Sequence, residues 1–188
     1  MLKVVLDTET TGLSSAFDKV IELSYIVVDT DQNSKIVKAY SSYINHPDLK
    51  FMPKGAFDVH GISIEMLREY GKSPQEVADE AFKDLCRGYI LGYNVDFDVR
   101  FIESFFATTG YADMFMLTES ECVMRAFNRQ YGKAKQTVAL DKLHMPTSLI
   151  DALTKKSFPE MDTGRSIAHD SRWDIHATYT IAKRLGVL

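Results

Sequence analysis

Apolar and polar positions alternate between two rhythms along this chain. Leu2 to Leu6 is a short run of β-formers, read as a strand buried on both faces, and it ends in Asp7-Thr8-Glu9-Thr10-Thr11-Gly12. A second strand pattern covers Lys19 to Val28, and the turn-rich segment from Asp29 to Ser34 returns the chain into Lys35 to Ile44, its expected antiparallel hairpin partner. The rhythm then changes to a helical one. Val77, Ala81, Phe82 and Leu85 follow a Ser73-Pro74 start signal. A short strand at Tyr89 to Tyr93 comes next, followed by a helical stripe of Phe97, Phe101, Phe105 and Phe106. A further helix is expected from about Thr118 to Tyr131, and a closing one from Asp170 onward, with Ile175, Ala177, Ile181, Ala182 and Leu185 facing a core. The stretch from Gly132 to Arg165 mixes lysines, prolines and polar residues and has no clear period. Strands first, then strands interleaved with helices, predict an α/β domain with a mixed sheet flanked by helices, whose site forms beyond the strand ends.

The chain has 188 residues, 45% hydrophobic and 26% charged, which fits one domain, residues 1–188, with a substantial core. A net charge of −4 argues against coating nucleic acid through a broad basic surface, so contact with phosphates is expected to be local and aided by bound cations. Cys86 and Cys122 form neither a disulfide framework nor a zinc pattern, which points to a reducing compartment. The N-terminus reaches Asp7 too soon for a signal peptide, and no apolar run approaches membrane-spanning length. A cytoplasmic protein without membrane contact is expected.

Candidate chemistry lies in three acid-bearing segments. Asp7 and Glu9 are two apart on a strand or its exit, so their side chains share one side. Unit charges about 4 Å apart at an effective dielectric near 20 repel by about 4 kcal/mol, a conflict that a hard divalent cation removes. The small residues and Gly12 beside them suit close approach by a ligand. The second segment, Asn94-Val95-Asp96-Phe97-Asp98, joins a strand to a helix; the third, His169-Asp170-Ser171-Arg172-Trp173-Asp174, opens the last helix. Taken singly, an acid in a first helical turn needs no more than the macrodipole or a cap to explain it. Three such ends in one chain specify more.

Together they resemble the DEDDh exonucleases, the group of the proofreading ε subunit of replicative polymerases, ribonuclease T and oligoribonuclease. Its first motif stands here as Asp7-Thr8-Glu9-Thr10-Thr11-Gly12-Leu13, its second as Asn94-Val95-Asp96-Phe97-Asp98, and its third as His169 followed five residues later by Asp174. Val59-His60-Gly61-Ile62 resembles the segment that members place near the terminal nucleotide. Tyr93 replaces the histidine that often precedes the asparagine of the second motif, a reading closer to polymerase-fused domains. Position 170 is aspartate, where a tyrosine would mark the sister DEDDy group.

The resemblance implies a ribonuclease-H-like mixed sheet of about five strands, one of them antiparallel, flanked by helices. It implies a 3′→5′ exonuclease releasing 5′-mononucleotides with two divalent ions, Mg2+ or Mn2+, held by Asp7, Glu9, Asp98 and Asp174. His169 would accept a proton from the attacking water. Leu13 and Phe97 have two readings, core packing or contact with the terminal base; His60 and Asn94 either bind the 3′ end or satisfy local backbone groups. Basic residues at 125, 129, 133, 135, 155, 156 and 165 could meet phosphates or form an ordinary charged surface. The expected partner is a nucleic acid 3′ end, single-stranded DNA ahead of RNA, with a polymerase or replication protein as a further partner. The competing readings are an exoribonuclease that trims RNA and a non-catalytic nucleic-acid-binding or polymerase-accessory module.

Overall fold

A computed structural model of the chain describes residues 1–86, 88–112, 119–159 and 170–188. Its first three strands are β1 (Leu2–Thr10), β2 (Val20–Asp29) and β3 (Lys35–Tyr43), with a 3-10 turn at Thr30–Gln32 inside the second connection. Helices α1 (Lys54–His60), α2 (Ile64–Tyr70) and α3 (Pro74–Leu85) precede β4 (Tyr89–Gly92) and α4 (Val95–Thr108). Beyond these come β5 (Glu119–Cys122), α5 (Val123–Tyr131), α6 (Gln136–Lys142), α7 (Thr147–Ser157) and α8 (Ser171–Leu185). Among the described residues, no helix is long and apolar enough to cross a membrane.

The sheet order is β3-β2-β1-β4-β5. β2 runs antiparallel to both its neighbours, whereas β1, β4 and β5 pair in parallel, so one strand of five opposes the rest as expected. Alternation along β1 divides the core between two faces. Val4 and Leu6 pack with Leu23, Tyr25 and Val27 against α3 and α4. Val5 packs with Ile26, Val28 and Leu91 under α5, α6 and α8. A smaller cluster of Ile21, Tyr43, Ile62 and Leu67 lies under α1 and α2.

Local signals fix the main helices. Ser73 and Glu76 close a reciprocal capping box at the start of α3, with Pro74 in its first turn. Asp170 caps α8 by accepting from the Arg172 amide at 3.1 Å, and Gly186 ends that helix at φ 71.

Four readings of the sequence change. β1 does not stop at Leu6: antiparallel pairing with β2 carries it through both acids, with Asp7 opposite Ser24 and Glu9 opposite Glu22, to a bulge between Glu9 and Thr10. The helix expected from about Thr118 begins instead at Val123, because Glu119–Cys122 is drawn into the sheet as a parallel partner of β4. The stretch without a period carries α6 and α7. Gly12 serves the chain itself, since a Cβ there would collide with the Asp18 carboxylate, which accepts from the Ser14 amide at 2.9 Å and the Thr11 hydroxyl at 3.2 Å.

Candidate active site

Asp7 and Glu9 leave β1 on the face covered by α8, and α8 supplies Asp174 from its first turn. Ligand oxygens of these three carboxylates all lie within 4.8 Å of one another. Three acids from residues 7, 9 and 174 therefore meet at one point, and Asp98 reaches the same cleft from the first turn of α4.

Thr8 holds Asp98 in place. Its side chain points away from those of Asp7 and Glu9, toward α4, and its hydroxyl and amide donate to one Asp98 oxygen at 2.8 and 3.0 Å. The acids flanking Thr8 thus face one side while Thr8 braces a fourth acid from the other, as period-two geometry requires. Sequence reasoning passed over Thr8, although its place between the two acids was the available signal.

Burial and mutual repulsion dominate the electrostatics. Burial, followed by the charges of Asp98, Asp174, Glu9 and Glu22, holds the Asp7 carboxyl well above the usual carboxylate range. Burial pushes Asp98 up to about 7, against the opposing effect of the Thr8 hydrogen bonds. Glu22 adds to the crowding: it is buried directly opposite Glu9, a like-charged cross-strand pair. Arg172 lies buried within electrostatic reach of Glu22 and pairs with both oxygens of Asp170, so a fixed cation offsets part of this charge.

The carboxylates border an open cleft of about 920 Å³. Tyr93, Phe97, Met124 and Trp173 give it apolar walls, and Lys133 and Lys135 stand exposed at the side formed by α5, α6 and their connection. Gln136 ties that side to the acids, its amide donating to the Asp174 carbonyl at 2.8 Å and to the Thr178 hydroxyl at 2.7 Å. Such volume and mixed lining are ordinary for a site that holds a small ligand or one unit of a polymer.

The remaining candidates separate. Asn94 is exposed and lines the cleft without capping α4. Phe97 packs its ring 4.8 Å from that of Phe101, as its core reading expects, and it also lines the cleft. His60 is buried at the end of α1, where its Nδ1 accepts from the Ile62 amide at 3.0 Å, and it is not among the residues lining the cleft. Leu13 is 85% exposed beyond β1 and is likewise outside the lining. Asp96 is engaged by Arg125. His169 and Arg165 lie outside the described residues.

An α/β mixed sheet thus brings four carboxylates to one cleft, a set of oxygen donors suited to hard divalent cations. The chain matches the RNase_T exonuclease family model over residues 4–182 and belongs to that exonuclease family. Relatives include PolC-type DNA polymerase III of Thermotoga petrophila, 31% identical over 132 residues, covering 66% of this chain and 9% of the polymerase. The corresponding polymerase of Lacticaseibacillus paracasei is 30% identical over 112 residues, covering 59% of this chain and 7% of its own. The chain therefore spans under a tenth of either relative.

Among solved structures, exonuclease I superposes with a TM-score of 0.69 at 22% identity, covering 99% of this chain and 41% of the other. Escherichia coli exonuclease I in complex with a dA16 oligonucleotide gives 0.66 at 20% identity, with 99% and 41% covered. These likenesses establish the shared fold.

Proposed function

We propose that the chain is a metal-dependent 3′→5′ exonuclease that releases 5′-mononucleotides from nucleic acid, with single-stranded DNA as the favoured substrate. One observation carries this reading: Asp7, Glu9 and Asp174 bring carboxylate oxygens within 4.8 Å of one another at the floor of an open cleft that Asp98 also enters. Family membership supplies the class of reaction.

The donor set fits hard divalent cations. Every candidate ligand is a carboxylate oxygen, which suits Mg2+ or Mn2+ rather than softer metals, and the raised Asp7 and Asp98 carboxyls are groups that a cation would favour in ionised form. Asp7, Glu9, Asp98 and Asp174 would hold two such ions, whose chemistry when bound is to relieve phosphoryl charge, polarise an attacking water and stabilise the leaving 3′-oxygen.

The chain's own residues do the rest. Thr8 orients Asp98. Gln136 anchors the backbone at Asp174. Phe97, Met124 and Tyr93 offer an apolar wall to the terminal base, and Lys133 and Lys135 meet the phosphates behind it. His169, one residue before the α8 cap, takes the proton of the attacking water at an imidazole nitrogen.

Single-stranded DNA is favoured because the neighbouring exonuclease I was solved with a dA16 oligonucleotide and the relatives are DNA polymerases. A polymerase or replication partner fits the same reading. The deciding experiment follows 3′- and 5′-labelled oligonucleotides of DNA and RNA with Mg2+, with Mn2+ and with EDTA. Stepwise shortening of DNA from its 3′ end, stopped by EDTA, is expected. Digestion that survives EDTA, or a protein that binds but never shortens either polymer, defeats the proposal.

A further inference from the structure

On the rim of the acid-lined cleft, an ion pair spans two neighbouring strand-to-helix junctions. β4 and β5 lie side by side in parallel, and the Met124 amide donates to the Tyr93 carbonyl at 3.1 Å, so α4 and α5 start next to each other. Asn94 and Phe97 of the first junction and Met124 and Asn128 of the second line the cleft. Asp96 and Arg125 stand one position away from these residues, outside the lining, and pair with each other. The pair is bidentate: Arg125 Nη1 donates to Asp96 Oδ2 and Nη2 to Oδ1, the latter at 3.1 Å. Both side chains remain about half exposed.

An exposed ion pair between two helix starts commonly does no more than hold them together, and it contributes little to stability. Two features here exceed that role. First, Asp96 has a second cation to turn to, because Arg100 is exposed one helical turn further along α4 and within electrostatic reach of it. Arg125 can therefore leave without stranding a bare carboxylate. Second, Arg125 opens a row of cations that no acid interrupts. Residues 123–140 hold Arg125, Arg129, Lys133 and Lys135 and neither aspartate nor glutamate, in a chain of net charge −4. On α5, Arg125 and Arg129 are four apart and form an exposed stripe beside the cleft-lining Met124 and Asn128, and Lys133 and Lys135 continue the row at the cleft wall.

We propose that Asp96 and Arg125 form an exchangeable phosphate clamp for the substrate strand. As the strand enters, Arg125 leaves Asp96 and closes on a backbone phosphate on the 5′ side of the nucleotide at the acids, while Asp96 turns to Arg100. A guanidinium fork that holds both oxygens of a carboxylate presents the same two donors to two oxygens of a phosphate, so one bidentate contact replaces another. Asp96 thereby sets a threshold. A free anion must displace it unaided, whereas a strand already held at the acids and along α5 brings its next phosphate to Arg125 at high effective concentration. The clamp presupposes that the acids act on a nucleic acid strand.

Fluorescence anisotropy in EDTA measures binding of the full chain to a labelled oligothymidylate without turnover, and wild-type shortening of the same strand with Mg2+ is followed in parallel. Asp96→Asn frees Arg125 and should tighten binding about three- to tenfold. Arg125→Ala should weaken it by a similar factor, and Arg125→Lys, which keeps the charge without the fork, should fall between. The double variant, Asp96→Asn with Arg125→Ala, separates a clamp from simple neutralisation. It should stay at least about threefold weaker than wild type, because the phosphate contact is gone. Recovery to wild-type affinity would mean that Arg125 merely neutralises Asp96, and overturns the proposal. Glu80→Gln makes the same change in net charge on α3, where Glu80 pairs with Lys72, and should leave affinity within about twofold. Tightening equal to that of Asp96→Asn overturns the clamp as well. A wild-type chain that shortens the strand while Arg125→Ala binds it undiminished overturns the clamp and leaves the nuclease reading standing, whereas a chain that neither binds nor shortens it ends both.

Discussion

The two sides of the acid-lined cleft are built differently. On one side Asp7 and Glu9 sit in a central strand and pair with Ser24 and Glu22 of β2, and Asp98 is buried and held by two hydrogen bonds from Thr8. On the other side α5 and α6 are helices of nine and seven residues, neither with a side-chain cap, and they present Lys133 and Lys135 to solvent. The contrast separates tasks that a polymer-degrading site must combine. Groups that meet the reacting atoms need fixed geometry, and a regular sheet supplies it; groups that hold a substrate of varying sequence can stand on short, exposed elements. Substitutions on the first side should accordingly destroy turnover, and those on the second should shift binding.

The largest effect belongs to the acids. Asp7→Asn or Asp174→Asn keeps the shape and removes the charge, and either should lower kcat by well over about 100-fold, more than the loss of a supporting residue around a metal normally costs. Single-turnover assays at saturating oligonucleotide check this. Retention of even a tenth of the activity by Asp174→Asn would remove α8 from the chemistry.

In the metal-free protein the same acids set a pH dependence. Asp7 and Asp98 bind protons more tightly folded than unfolded, so the stability that Asp98 contributes is complete below the unfolded value of 3.8 and is lost as pH rises through about 7, and Asp7, held well above its ordinary range, acts in the same direction. Melting temperature in EDTA should therefore fall from about pH 5 to about pH 8, and Mg2+ should restore most of the loss at the upper end. A melting temperature in EDTA that climbs across this range would mean that these carboxylates are not stressed. Thr8→Val is the milder probe of the same side. It removes the hydroxyl bond to Asp98 and leaves the amide bond, so a loss of about 10- to 100-fold in kcat with little change in KM is expected.

The same division decides what was legible in the sequence. The acids of β1, the β2–β3 hairpin and helices α3, α4 and α8 were readable because each carries its own periodicity and a local start signal, such as Ser73-Pro74 or Asp170. That Asp174 meets Asp7 and Glu9 followed from family resemblance, since the spacing of residues 167 apart in the chain holds no such information. α1, α2 and α6 have seven residues each, fewer than two helical turns, and β5 has four, so their patterns cannot be told from loops. Gly12 shows how a correct local inference can have the wrong object: a close approach was foreseen there, and the approaching group is Asp18.

Gln136 joins the two sides, and its replacement should have an intermediate effect. Gln136→Leu removes both hydrogen bonds to α8 while keeping the side chain's bulk, leaving the Asp174 backbone without this tether. A fall of about tenfold in kcat and a higher Mn2+ requirement are expected, with Gln136→Glu failing to rescue because its carboxylate cannot donate. Equilibrium Mn2+ binding, followed without substrate, distinguishes this from a change confined to the way the oligonucleotide is held.

The smallest effect should come from the lysines, and its form matters more than its size. Lys133 and Lys135 are exposed at the cleft side, where each interaction with a phosphate is screened by water and salt. Lys133→Ala with Lys135→Ala should raise KM by about three- to tenfold and leave kcat for bound substrate nearly unchanged, because neither side chain reaches the carboxylates. The slope of log KM against log salt should flatten by about one to two, one for each phosphate that a lysine no longer neutralises, and in the same way for every oligonucleotide sequence. An effect confined to kcat would place these lysines among the groups that meet the reacting phosphate, and the two sides of the cleft would no longer divide chemistry from grip.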